Sequence, residues 1–138
     1  MKEKWLLSII TVLFLSFISC DSDDSEELDG KWQDIIKISK KELSINAESN
    51  SVLITTEGAS WWINGISLNG DSNYDLQQLD TSQDNFIIEE NEFKVERKNA
   101  KELHIFMTEN PTENKRSLII SLQAGNYFDG ITIIQSGK

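Results

Sequence analysis

Few side chains in this sequence are equipped to make or break bonds. The one histidine, His104, and the one cysteine, Cys20, stand far apart in the chain, and a nucleophile needs a base within hydrogen-bond reach. His104 falls in the middle of an alternating run, "ELHIFMT", with no G-x-S-x-G elbow in its company. Glu89, Glu90 and Glu92 could supply a pair of carboxylates for glycoside hydrolysis, but they crowd around a turn at Asn91, where water screens them, rather than in a cleft. Asp71, Asn73 and Asp75 are spaced as at the start of an oxygen-ligand calcium loop, yet Leu76 and Ser82 stand where such a loop needs glycine and a bidentate glutamate. "DSDDSEELDG" fails the same test, with Glu26 at the glycine position. Ordinary turn-forming Asx residues account for the "DSNYD" pattern. The expectation is a protein without catalytic residues, metal or cofactor.

The adjacent pair Trp61 and Trp62 has a different capacity. On a strand the two rings must face opposite sides. One belongs to a core, and the other offers a flat surface on which the C–H face of a sugar can stack, with an indole N–H for a hydroxyl. The alternative is an outward ring that packs beneath the connection from Ser67 to Asp84. Tyr74, Tyr127 and Phe128 lie in or beside loops as possible companions, and the pair expected to bind a ligand is Trp62 with Tyr74. Which of Trp61 and Trp62 is exposed stays open at this level.

Those residues sit in a chain of 138 residues, enough for one domain that buries a core unaided. Apolar residues make up 38% and charged residues 26%, with one proline and seven glycines, a globular composition without low complexity. A net charge of −10 repels phosphate backbones and argues against nucleic-acid binding. A lone cysteine forbids an internal disulfide, and a lone histidine leaves no structural zinc cluster.

The amino terminus says what Cys20 is for. "MKEK" carries two lysines and is followed by fourteen uncharged residues, "WLLSIITVLFLSFI". A spanning helix needs about 20 apolar residues, so this run is short for an anchor helix and of the right length for a secretory signal. "FISC" then resembles the lipobox of bacterial lipoproteins, with Ser19 as the small residue before the cysteine; Phe17 and Ile18 depart from its commonest form. The resemblance implies residues 1–19 as a signal peptide and cleavage before Cys20. It also implies a diacylglyceryl thioether on the Cys20 sulfur and a further acyl chain, such as palmitate, on its new amino group. Several acyl chains at about 0.8 kcal/mol per methylene hold a protein on a membrane essentially for good. A reactive thiol would need a cation or base nearby, whereas Asp21, Asp23 and Asp24 disfavour the thiolate. "DSDDSEELD" has six carboxylates in nine residues, which makes residues 20–30 an extended tether. Its position behind the cysteine resembles the surface-export signal of Bacteroidetes lipoproteins, which implies an outer-membrane protein exposed at the cell surface.

From residue 31 to 138 the texture changes to short segments of period two. "ELSIN", "SVLITTE", "WWINGI", "NFIIEE", "EFKVER", "ELHIFMT", "RSLIISL" and "GITIIQ" each alternate or are rich in β-branched residues. "YDLQQLDTSQD" is the one stretch with a helical hint, through Leu76 and Leu79. Seven or eight strands separated by Gly, Asn and Ser turns predict an antiparallel β-sandwich, with a closed barrel as the alternative. The last two strands are the most secure pair, because "SLQAGNYFDGI" supplies Gly125 and Asn126 as turn residues between two β-prone runs.

The pattern resembles BACON domains, the Bacteroidetes-associated, often amino-terminal modules of extracellular proteins. The likeness runs over residues 37 to 137 through Leu43 and Ile45, "VLITT", a tryptophan at 61 or 62, Arg116, Gly125 and the ending "ITIIQSG" with Gln135. It implies an immunoglobulin-like sandwich and a role in binding carbohydrate or mucin, or else a spacer. "NAESNS" replaces the usual glycine-rich turn after the first strand, and residues 67–84 look inserted. The expected function is a non-catalytic, surface-exposed lipoprotein binding an extracellular glycan or glycoprotein of mucin type. The alternative is a module that docks to a protein of an outer-membrane complex and has no glycan site.

Overall fold

The structure, a computed structural model, describes residues 33–138. Cys20, the signal peptide and the acidic tether lie outside the described residues. Each alternating segment becomes a strand: β1 (Glu42–Ile45), β2 (Asn50–Thr55), β3 (Trp62–Leu68), β4 (Phe86–Glu89), β5 (Phe93–Lys98), β6 (Glu102–Met107), β7 (Arg116–Ala124) and β8 (Tyr127–Gln135). They form two four-stranded sheets, ordered β1-β8-β7-β3 and β2-β6-β5-β4. The chain crosses between sheets after β1, β2, β3 and β6, which gives the immunoglobulin-like sandwich its interlocked topology. "YDLQQLDTSQD" forms turns, with Leu79 N–H bonded to Leu76 O and Gln83 N–H to Asp80 O, and no helix.

One pair departs from the antiparallel expectation, since β1 runs parallel to β8, with Glu42 opposite Thr132 and Ile45 opposite Gln135. The leading segment first touches the other sheet, through an antiparallel bridge of Ile38 to Thr56. It then crosses to lie beside the last strand. Ile36 and Ile38 are both buried on the way, which ties the domain's entry to its core.

Alternation decides what the core contains. Leu103, Ile105 and Met107 from β6 face Leu118, Ile120 and Leu122 from β7 and Ile131 and Ile133 from β8, and all are buried in one cluster. Each such side chain contributes about 1.5–3 kcal/mol by leaving water. The same alternation carries two charged side chains inward, Arg97 as the third inward position of β5 and Arg116 at the start of β7. Arg116 donates from Nε and Nη2 to Gln135 Oε1, at 2.9 and 2.6 Å. Gln135 Nε2 in turn donates to Glu48 O at 2.9 Å and Thr108 O at 3.0 Å. This knot joins β7, β8 and two loops at one end of the sandwich. Among the described residues no buried side-chain nitrogen or oxygen lacks a partner.

The opposite end is closed by the β7–β8 hairpin. Ala124 pairs with Tyr127 across Gly125 and Asn126. Gly125 has φ +61°, as the first central residue of a tight hairpin turn requires. A two-residue turn leaves no freedom of register, so every pair from Ala124 and Tyr127 down to Arg116 and Gln135 follows from it.

Candidate functional site

The two tryptophans part ways at the start of β3. Trp61 turns inward and is 2% exposed; its Nε1–H is shared between Thr56 Oγ1 and Gly58 O, both at 3.0 Å. The Arg97 guanidinium lies 3.7 Å above the ring centre. Arg97 donates to a cradle of backbone carbonyls, among them Ala59 at 2.6 Å, Ala100 at 2.7 Å, Trp61 at 2.8 Å and Gln83 at 3.1 Å. Burial lowers its pKa from the usual arginine value, and Asp84 acts in the opposite direction. Fixed carbonyl dipoles and a ring face replace the water that the cation gave up. This group is a structural clasp over three loops.

Trp62 faces outward, half-buried, as the alternation against buried Ile63 requires. Strand pairing places it opposite Gln123, and Gln123 opposite Phe128, which is 59% exposed. Two rings thus flank one amide in a single cross-strand row, with Cα atoms of Trp62 and Phe128 about 10 Å apart over two strand spacings. Gln123 Nε2 donates to Gly125 O at 2.8 Å, which fixes the amide and turns its carbonyl oxygen into an available acceptor. The next outward row is Gly65, Ser121 and Gly130, and the one after it Ser67, Ile119 and Thr132. On the outer face of these four strands the one charged side chain is Glu42, on the short edge strand β1 beside Thr132. The face is built of rings, hydroxyls and an amide over a low floor.

Tyr74 does not join it. Its ring meets Phe93 edge-on at 5.2 Å with an interplanar angle of 77°, and it is half-buried against the core. Burial and then the nearby Asp71, Glu92 and Glu90 raise its pKa. Phe93 opens β5 and pairs with Met107, whereas Arg97, the neighbour of Trp61, lies four residues further along that strand. That separation is about 13 Å of strand, so the expected pair of Trp62 and Tyr74 is split between two ends of the sandwich. Phe128 takes the place beside Trp62. Its signal was present in the sequence, because the Gly125–Asn126 hairpin fixes Phe128 opposite Gln123.

No family model matches the chain, and no curated protein matches it. A solved structure does. The NMR structure of a protein from Bacteroides thetaiotaomicron aligns with a TM-score of 0.60 at 26% identity, over 79% of this chain and 92% of that one. The likeness covers a comparable all-strand body and supports the sandwich architecture.

The remaining candidates lie elsewhere. His104 stands on the outer face of the second sheet, with Nε2 2.9 Å from Glu102. Glu89 and Glu90 are exposed at the β4–β5 turn, where Glu90 N–H bonds Phe93 O. Asp71 accepts from Asn73 N–H at 3.1 Å and Asp75 from Gln77 N–H at 2.9 Å, so both cap their own backbone as Asx turns. Among the described residues no group of three or more His, Cys, Asp or Glu side chains could hold a metal ion, and no helix is long and apolar enough to cross a membrane. Of the residues on which the BACON resemblance rests, Trp61 serves the clasp, Arg116 and Gln135 the knot, and Gly125 the hairpin. Arg97 escaped the sequence reading; the available signal was its place after Phe93 and Val95 in the inward register of β5.

Proposed function

We propose that this protein is a non-catalytic lipoprotein, held by acyl chains on Cys20 in the outer membrane and exposed at the cell surface, whose BACON-like sandwich binds extracellular carbohydrate or a mucin-type glycoprotein. The observation that carries the reading is the row of Trp62, Gln123 and Phe128 on an almost uncharged sheet face. Aromatic faces match the C–H faces of sugars, and fixed amides and hydroxyls match their hydroxyl groups. Each contact is weak, and many copies on one membrane multiply it. The likeness to a Bacteroides thetaiotaomicron structure agrees with the Bacteroidetes type of amino terminus.

The test is binding of the full chain, in detergent, to a glycan panel and to mucin, with Trp62→Ala alongside. Retention by the wild type and loss by the variant is the expected result; retention by both removes the site. Palmitate labelling that disappears in Cys20→Ser is expected for the anchor, and labelling that persists overturns it.

A second reading, a docking module for an outer-membrane partner, has one observation in its favour. Leu53, Ile87 and Phe106 are exposed on the outer face of β2-β6-β5-β4, and Leu53 and Phe106 line a shallow hollow that includes His104 and Lys94. Under that reading Phe106→Ala abolishes capture of the partner and no glycan is bound.

A further inference from the structure

Gly65 is the least explained residue on the aromatic face. Glycine inside a strand weakens it, and it is kept where a bulge, a tight bend, a crowded backbone or an approaching ligand demands it. Gly65 closes a bulge in β3, where the register against β7 shifts between Ile63 and Gly65, but it has no left-handed φ and a Cβ added there would meet nothing within 4 Å, so the bulge itself does not demand glycine. Gly130 differs, since a Cβ there would come within 3.1 Å of Ile120 O. The fold therefore accounts for Gly130 and leaves Gly65 free to carry a side chain. With Ser121 between them, the two glycines make a floor one row below Trp62, Gln123 and Phe128, about 7 Å along the strands. A ligand unit lying over Gln123 between the rings has a second place beside it, with exposed Asn64 of the β3 bulge at its margin.

The charge pattern narrows what lies there. Acidic sugars, whether sulfated or uronate, are recognised by arginine forks and lysine ammonium groups. The outer face of β3, β7 and β8 offers none, and the chain's net charge of −10 repels polyanions at longer range.

We infer, building on the carbohydrate-binding role proposed above, that this face takes an uncharged oligosaccharide laid along β7, with one unit between Trp62 and Phe128 over Gln123 and the next seated on the Gly65–Ser121–Gly130 floor. Binding therefore needs at least two consecutive sugars, and Gly65 is the residue that keeps the second place open.

The experiment uses the full chain in detergent on an array of neutral, sulfated and uronate glycans of one to six units. Neutral oligosaccharides are expected to bind at least about tenfold more tightly than their monosaccharides or acidic counterparts. Gly65→Val should bring oligosaccharides down to the monosaccharide level with an unchanged melting temperature. Ser121→Leu, which raises the same floor from β7, should do so independently of any effect on the β3 bulge. Trp62→Ala should abolish both. Acidic glycans bound best, with Trp62→Ala still silencing them, overturns the neutral-ligand inference and leaves the carbohydrate role standing. Undiminished binding by folded Gly65→Val and Ser121→Leu overturns the second place alone. If no glycan on the array is bound, the proposed role falls, and this inference with it.

Discussion

On the outer face of β2-β6-β5-β4, one cross-strand row sets Leu53, His104, Glu96 and Ile87 side by side, and the next sets Ser51, Phe106, Lys94 and Glu89. On the other sheet the matching rows read Trp62, Gln123, Phe128 and Gly65, Ser121, Gly130. Both faces arise from the same period-two alternation over a shared core. The first is laced with opposite charges on neighbouring strands, as for Lys98 beside Glu102, which keeps it hydrated and discourages edge-to-edge association. The second has exchanged charge for rings and hydroxyls, which hold water loosely and can trade it for a ligand of like chemistry. The fold is thus indifferent to the difference, and the difference is where a function can be sought.

Both faces rest on one interior, so the largest effect should strike them together. Trp61→Ala removes a buried ring and leaves Arg97 without its cover, and should cost about 3–5 kcal/mol. Urea unfolding should show a lower midpoint, and binding to either face should fade in parallel. Next in size is the change that separates them. Trp62→Ala should abolish glycan binding, a loss of more than about tenfold, with stability nearly unchanged, while Phe106→Ala leaves glycan affinity alone. Equal losses in both variants would erase the distinction.

A third test concerns what holds Phe128 in place. Its neighbours Tyr127 and Asp129 turn inward; Tyr127 donates to Asp129 at 3.0 Å, and Lys41 Nζ lies 2.7 Å from the same carboxylate. Burial and then the Asp129 bond raise the Tyr127 pKa, and the hydrogen bond to Asp129 raises that of Lys41. Both groups hold their protons more tightly folded than unfolded. Their stabilisation is complete below about pH 10 and declines as the pH rises beyond it. Tyr127→Phe should cost about 1 kcal/mol at neutral pH and flatten that alkaline decline, measured by denaturant midpoints from pH 7 to 11. The smallest effect belongs to the charged face. Lys98→Ala, which loses an exposed pair with Glu96 at 3.3 Å, should shift stability by less than about 0.5 kcal/mol, and added salt should shrink even that.

The strands were legible because a half-buried strand writes its two faces into alternate residues, and each expected segment appears, from Leu43 and Ile45 to Ile131 and Ile133. Strand β8 begins earlier than its β-branched run suggests, at Tyr127, because the tight hairpin forces Phe128 and Asp129 into the ladder whatever their propensity. The parallel clasp of β1 on β8 was not legible, since nothing local in "ELSIN" names a partner at the far end of the chain. Nor was the place of Tyr74. The connection between β3 and β4 has no period, and it is tied by Thr81 Oγ1 to Ile63 O at 2.8 Å and by Arg97 to its carbonyls, contacts that only the assembled fold brings together. Alternation showed that one of Trp61 and Trp62 must be hidden; the register of β3 against β7 decided which.

The clasp between β1 and β8 also sets a clock. The first strand has no bed to lie in until the final one has been made and zipped to β7, so a nascent chain cannot close this body piecemeal from its leading end. Pairings between distant segments form slowly. A polypeptide with such a late lock stays pliable until β8 is made, and becomes rigid only once that strand is free to pair.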